Sequence, residues 1–176
     1  MRSVRLIVQL IVLLGFALSA QAAHMAKPEG EILLTITGNI KTTNAEIIVD
    51  GDTVPAATFD IDMLEALPVE TIRTKSPWTT GVTEFKGVRF DVLLDSIGAQ
   101  SEHVSLHALD EYSVDIVDGQ FGKYPIVLAY EMDGHYMNVR NLGPLWLMYP
   151  FDDFPELDTA KNRGHCVWQL IRIEVL

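Results

Sequence analysis

Hydrophobic residues recur with two periods along this chain, and each period predicts a different element. Glu31 to Thr37 alternates, with Ile32, Leu34 and Ile36 on one side. That pattern predicts a half-buried strand, ended by Gly38-Asn39. Ala45 to Val49 predicts a second strand, closed by Asp50-Gly51-Asp52. The period then lengthens. Ile61 with Leu64, and Met63 with Leu67, form the buried stripe of a short helix over 60–67. Asp60 suits its N-cap, Asp62 suits the positive end of its dipole, and Pro68 stops it. Val69 to Lys75 predicts a strand, and Ser76 to Gly81 a loop that carries Trp78. Glu84 to Val88 leads into a second helix over 90–97. There Phe90, Leu93, Leu94 and Ile97 fall at i, i+3, i+4 and i+7. Gly98 stands where a left-handed C-terminal cap belongs.

Beyond Gly98 the pattern is mostly β. Strands are predicted over 103–109, 112–117, 125–130, 144–149 and 167–175. Ile126–Tyr130 and Leu145–Tyr149 are continuous apolar runs, which predicts central strands. In the last segment Ile171, Ile173 and Val175 alternate with Arg172 and Glu174, as in a strand buried on one face. Pro150 to Gly164 reads as a long acidic and aromatic loop, a length that points to function. With no internal repeat and no linker, residues 23–176 read as one α+β domain.

The segment before that domain changes the picture of where it works. Arg2 and Arg5 precede an apolar run from Leu6 to Leu18, and Ala20-Gln21-Ala22 supplies a small-x-small cleavage site. This predicts a signal peptide over 1–22, and periplasmic localisation by a Sec-type route. The two arginines are not adjacent, so there is no twin-arginine signal. No stable membrane insertion is expected after cleavage.

Composition narrows the chemistry. Asp and Glu number 24 against 13 Lys and Arg, a net charge of −11. The predicted leader carries two arginines and no acid, so the mature charge would be −13. Such a chain lacks the basic face that a nucleic-acid partner needs. The one cysteine, Cys166, excludes an internal disulfide framework and Cys-rich metal clusters. Cys166 follows His165 at the predicted start of the last strand, where neighbours point to opposite faces. A small core residue is the expected role for it. His103 and His107 share one strand face but have no third ligand, so no metal site is expected. Acidic pairs such as Asp152-Asp153 read as solvated loop charge, and no catalytic or phosphate-binding motif is present.

In so acidic a chain the few cations stand out. Arg73 and Lys75 flank Trp78, Arg140 precedes Gly143-Pro144, and Arg163 precedes His165 and Trp168. They either build an anion pocket or balance surface carboxylates.

The order of several segments resembles the molybdopterin-binding domain of the sulfite oxidase family, from Phe59 to the C-terminus. Thr58 to Pro68 is similar to the helix before that family's cofactor strand. Phe85 to Leu94 resembles its "W-x-G-V-x-L-x-x-L-L" segment, and Ala108 to Tyr112 its "A-x-D-G-Y". Leu128 to Gly134 resembles "L-A-x-x-x-x-G", Leu142 to Pro150 "x-G-x-P-x-R-L-V-x-P", and Val167 to Val175 "K-W-(x)-I-x-x-I-E-V". The resemblance implies a sulfite-oxidase-like fold of mixed β-sheets with short helices. It also makes molybdopterin a possible cofactor.

The family's metal ligand does not carry over. It is a cysteine just after the strand that here is Val69–Lys75, and 69–81 contain none. Trp146, or its neighbour, replaces the arginine before "L-V-x-P", and Val167 replaces the lysine before tryptophan. Family members cross membranes folded around their cofactor, which a Sec-type signal would not allow. The expectation is a periplasmic, non-catalytic binding domain that retains no cofactor. Its ligand would be small and anionic or planar, held by Arg73, Lys75, Trp78, Arg140, Tyr149, Arg163, His165 and Trp168. Its partner could instead be a membrane-associated signalling or redox protein. The alternative is a molybdopterin-dependent oxidoreductase with atypical metal ligation.

Overall fold

The computed structural model describes residues 25–117 and 120–176. The expected leader over 1–22 lies outside them. The chain runs β1 (Leu34–Gly38), β2 (Ala45–Val49), β3 (Asp52–Phe59), α1 (Ile61–Glu65), β4 (Val69–Lys75) and β5 (Val82–Arg89). It continues with α2 (Phe90–Ser96), β6 (Val104–Ala108), β7 (Ser113–Ile116), β8 (Val127–Met132) and β9 (His135–Tyr136). β10 (Trp146–Met148), α3 (Ala160–His165) and β11 (Leu170–Val175) complete it. The fold class is α+β, with mixed sheets and short helices.

One sheet has the order β2-β3-β1-β11-β6-β7, with β1 and β11 parallel. The other has the order β10-β8-β5-β4, with β9 added to β8. A single apolar cluster draws side chains from both, including Leu34, Ile36, Phe85, Val88, Leu106, Leu128, Trp146 and Ile173.

Local chemistry explains several elements. The Asp60 carboxylate accepts from the amides of Met63, Glu29 and Gly30 at 2.9, 2.8 and 2.9 Å. It caps α1 and pins the N-terminal segment to it. Those amide bonds hold its carboxyl below the usual carboxylate range, against the opposing effect of burial. On α2 Phe90, Leu93, Leu94 and the following Ile97 are all buried, and Gly98 has φ +61°. β4 forms where a strand is predicted and alternates, with Ile72 and Thr74 inside and Arg73 and Lys75 outside. Gly87 lets β5 approach β8: a Cβ there would meet the Leu128 carbonyl oxygen at 2.0 Å.

Four expectations need correction. The first strand starts at Leu34, and Ile32 is exposed beside it. β3 follows β2 through a two-residue turn with φ +53° at Asp50 and +93° at Gly51. Pro55 obscures this strand. It pairs with Glu46 of β2, while the pairing of β3 with β1 begins only at Ala57. Third, β10 is not central in the hydrogen-bonded order. It is buried because the 167–168 segment covers its open edge: the Leu147 amide donates to the Val167 carbonyl at 3.0 Å, and Trp146 bridges to Trp168. Fourth, Pro150–Gly164 is not a plain loop. It contains a 3-10 turn (Pro155–Leu157) and most of α3, whose N-cap Thr159 accepts from the Asn162 amide. His165 therefore ends a helix and Cys166 caps it, so the two do not take opposite faces of a strand.

Candidate functional site

The three tryptophans of the chain converge. The Trp78 ring centroid lies 5.5 Å from that of Trp168 and 5.9 Å from that of Trp146. Trp146 and Trp168 are 6.4 Å apart, and all three contacts are edge-to-face. Trp78 comes from the loop after β4, where the Ser76 and Thr79 hydroxyls share a 2.8 Å hydrogen bond. Trp146 comes from β10, and Trp168 from the segment between α3 and β11. Trp146 is fully buried, and its indole N–H donates to the Cys166 carbonyl at 3.2 Å. Trp78 and Trp168 are only partly buried and face a slot.

That slot has a volume of about 180 Å³. Trp78, Trp168, Ala108 and Val167 form its apolar walls, and Tyr112, Arg163 and Asp110 reach its mouth. The Tyr112 hydroxyl donates to the Gly164 carbonyl at 3.0 Å and ties the β6–β7 connection to α3. Arg163 also belongs to an adjoining open groove of about 660 Å³, lined by Lys75, Phe151, Asp152 and Asp158. The site thus has a flat aromatic compartment and a polar one, with one guanidinium between them.

The groove is not purely cationic. The Arg163 Nε lies 2.7 Å from an Asp158 carboxylate oxygen. Arg163 holds the Asp158 carboxyl below its ordinary range, chiefly through that hydrogen bond. Lys75 makes no ion pair with a described residue.

Lys75 and Arg163 line the groove, and Trp78, Arg163 and Trp168 line the slot. Tyr149 and His165 lie beneath the site, with the Tyr149 hydroxyl 3.5 Å from His165 Nδ1. Burial raises the Tyr149 phenol, with Cys166 adding to the effect. Burial lowers His165, and Lys161 adds to that. The Cys166 thiol donates to the Asn162 carbonyl at 3.5 Å, and burial pushes it up to about 12. These three groups form a neutral, buried backing.

Arg73 and Arg140 stand apart. Arg73 points to solvent and pairs across the strands with Glu84 at 2.9 Å. Arg140 is exposed on a 3-10 turn (Val139–Asn141) and lines neither compartment. His103 lies just before β6. His107 is on that strand, with its Nδ1 3.2 Å from an Arg172 nitrogen. Tyr112 and Phe151 line the site and Trp146 packs behind it, none of them among the ligand contacts that the sequence predicts. For Tyr112 the available signal was a bulky aromatic beside the Asp110-Glu111 turn, where Glu111 takes φ +69°. No protein-family model matches the chain, and no match was found among curated proteins.

Proposed function

We propose that the chain is an exported, non-catalytic binding domain on a sulfite-oxidase-like scaffold. It takes a small planar anion, with the flat part against Trp78 and Trp168 and the charge toward Arg163 and Lys75. One observation carries this reading: Trp78 and Trp168, packed on the buried Trp146, line one slot, and Arg163 lines both that slot and the groove that holds Lys75. Rings supply area at low entropic cost, and the guanidinium supplies a directional charge-assisted hydrogen bond. The N-terminal pattern supports export.

The residues present do not fit a pterin-bound molybdenum. The protein thiolate that the resemblance calls for is absent from 69–81, and the Cys166 thiol is buried, bonded to a carbonyl and pushed up to about 12 by burial. Trp146 and Val167, where the resemblance expects cations, are core residues at 0% and 2% exposure. No step through that cofactor follows from this donor set, and nothing in it favours the oxidoreductase alternative.

Fluorescence tests the proposal, because every tryptophan belongs to the cluster. Titration with 2-naphthoate should quench emission saturably, and the neutral 2-naphthamide should bind more weakly. Trp168→Ala and Arg163→Gln should each weaken naphthoate binding by about fivefold or more. Unsaturable quenching, or affinity unchanged in both variants, would overturn the reading. So would stoichiometric molybdenum in protein recovered from the periplasm.

A further inference from the structure

A second cleft shares no lining residue with the tryptophan slot or its groove. It has a volume of about 390 Å³, within the usual range for small-molecule sites. Leu33, Ile61, Met137, Val139 and Pro144 make it mainly apolar, and Glu31 is its one charged lining residue. Tyr130 of β8 and Tyr136 of β9 complete the wall.

Tyr130 is the unusual member. It is 2% exposed, and its hydroxyl has no hydrogen-bond partner among the described residues. A buried phenol normally finds one, because leaving a polar group unpaired is costly. The charged groups nearby are otherwise engaged. Lys86 Nζ lies 5.7 Å from the Tyr130 ring centre but is bound to Glu131 at 2.8 Å. Glu65 of α1 accepts from the Tyr136 hydroxyl. The Tyr136 ring lies 6.2 Å from that of Tyr130, tilted by 31°, and is itself 57% exposed. The Tyr136 ring thus packs beside that of Tyr130 in the cleft wall, held to α1 by one exposed hydrogen bond. Burial, the largest influence, raises the Tyr130 phenol, so it stays a protonated donor at neutral pH.

We infer that this cleft is a second small-molecule site, selective for an uncharged apolar ligand with one hydrogen-bond acceptor, such as a ketone carbonyl. The apolar part lies on Leu33, Ile61, Met137 and Val139. The Tyr136 ring turns aside from Glu65, and the Tyr130 hydroxyl donates to the acceptor. Glu31 and the nearby Glu65 disfavour anions here, while Lys86 balances Glu131, so the preference is the reverse of that proposed for the tryptophan slot.

The probe for this site is 6-propionyl-2-dimethylaminonaphthalene, a neutral ketone whose emission reports polarity and hydrogen bonding. The expected result is saturable binding with an emission shift from that in water. Tyr130→Phe should weaken it about fivefold, the worth of one buried hydrogen bond. Val139→Trp fills the cleft from a half-exposed turn position and should abolish binding. Trp168→Ala should leave the probe's affinity unchanged, which separates this result from any failure at the tryptophan slot. The inference is overturned if the probe does not saturate, if Val139→Trp binds it as well as the parent chain, or if Trp168→Ala removes binding. Equal affinity in parent and Tyr130→Phe would overturn the assigned donor.

Discussion

The two aromatic clusters are built alike and differ in one atom's partner. Each has a buried ring on the five-stranded sheet, Trp146 on β10 and Tyr130 on β8, with more exposed rings lining a cavity beside it. The Trp146 indole N–H donates to the Cys166 carbonyl, whereas the Tyr130 hydroxyl donates to no described residue. A satisfied buried polar atom locks its ring as a wall. An unsatisfied one leaves a binding valence whose cost the fold carries until a ligand meets it. The tryptophan cluster thus offers surface with charge at its rim, and the tyrosine cluster offers a single neutral donor.

Breaking the satisfied cluster should have the largest effect. Trp146→Ala removes a fully buried ring that packs on Trp78, Trp168 and Phe85, and it strands the Cys166 carbonyl. We expect a loss of about 3–5 kcal/mol in denaturant unfolding. The unsatisfied cluster should respond with the opposite sign. Tyr130→Phe removes only the unpaired hydroxyl, so stability should rise by roughly 1 kcal/mol. A fall in the unfolding midpoint would mean that the hydroxyl is satisfied in solution.

A smaller effect separates the clusters by pH. His165 backs the tryptophan slot, and burial lowers its pKa from 6.5. The unfolded chain therefore takes up the proton first. His165's contribution is complete above about pH 6.5 and declines as the pH falls toward the lowered folded value. His107, also lowered by burial and by Arg172, adds a slope of the same sign. Unfolding midpoints at pH 7.5 and 5.5 should differ less in His165→Gln than in the parent chain, and an equal difference would contradict the assignment. The smallest effect is expected at Arg73. Its pair with Glu84 is exposed at 67% and 38%, so Arg73→Ala should cost less than about 0.5 kcal/mol. It should also leave binding of both probes unchanged. A large loss of naphthoate binding would return Arg73 to the site.

About half of the candidate site was legible in advance. Trp78, Trp168, Lys75 and Arg163 were identifiable because cations and aromatics are conspicuous in an acidic chain. Arg73 was misjudged for a local reason. It alternates on the same outer face as Lys75, but cross-strand pairing sets it against Glu84, a neighbour that depends on the β4–β5 register. Arg140 sits near Gly143-Pro144 in sequence, but its turn is tied to Gln169 rather than to the slot: the Gln169 side chain donates to the Val139 carbonyl at 2.7 Å. Tyr130 was legible only as part of an apolar run.

What the sequence alone determined is what repeats or terminates locally. The α2 stripe, the Asp60 cap and the left-handed Gly98 all follow from interactions within a few residues. Tertiary structure alone decided that positions 78, 146 and 168 meet, that His165 ends a helix, and that the Tyr130 hydroxyl is left without a partner. Each of these depends on sheet order and register, which bring together groups tens of residues apart, and no local periodicity encodes such contacts.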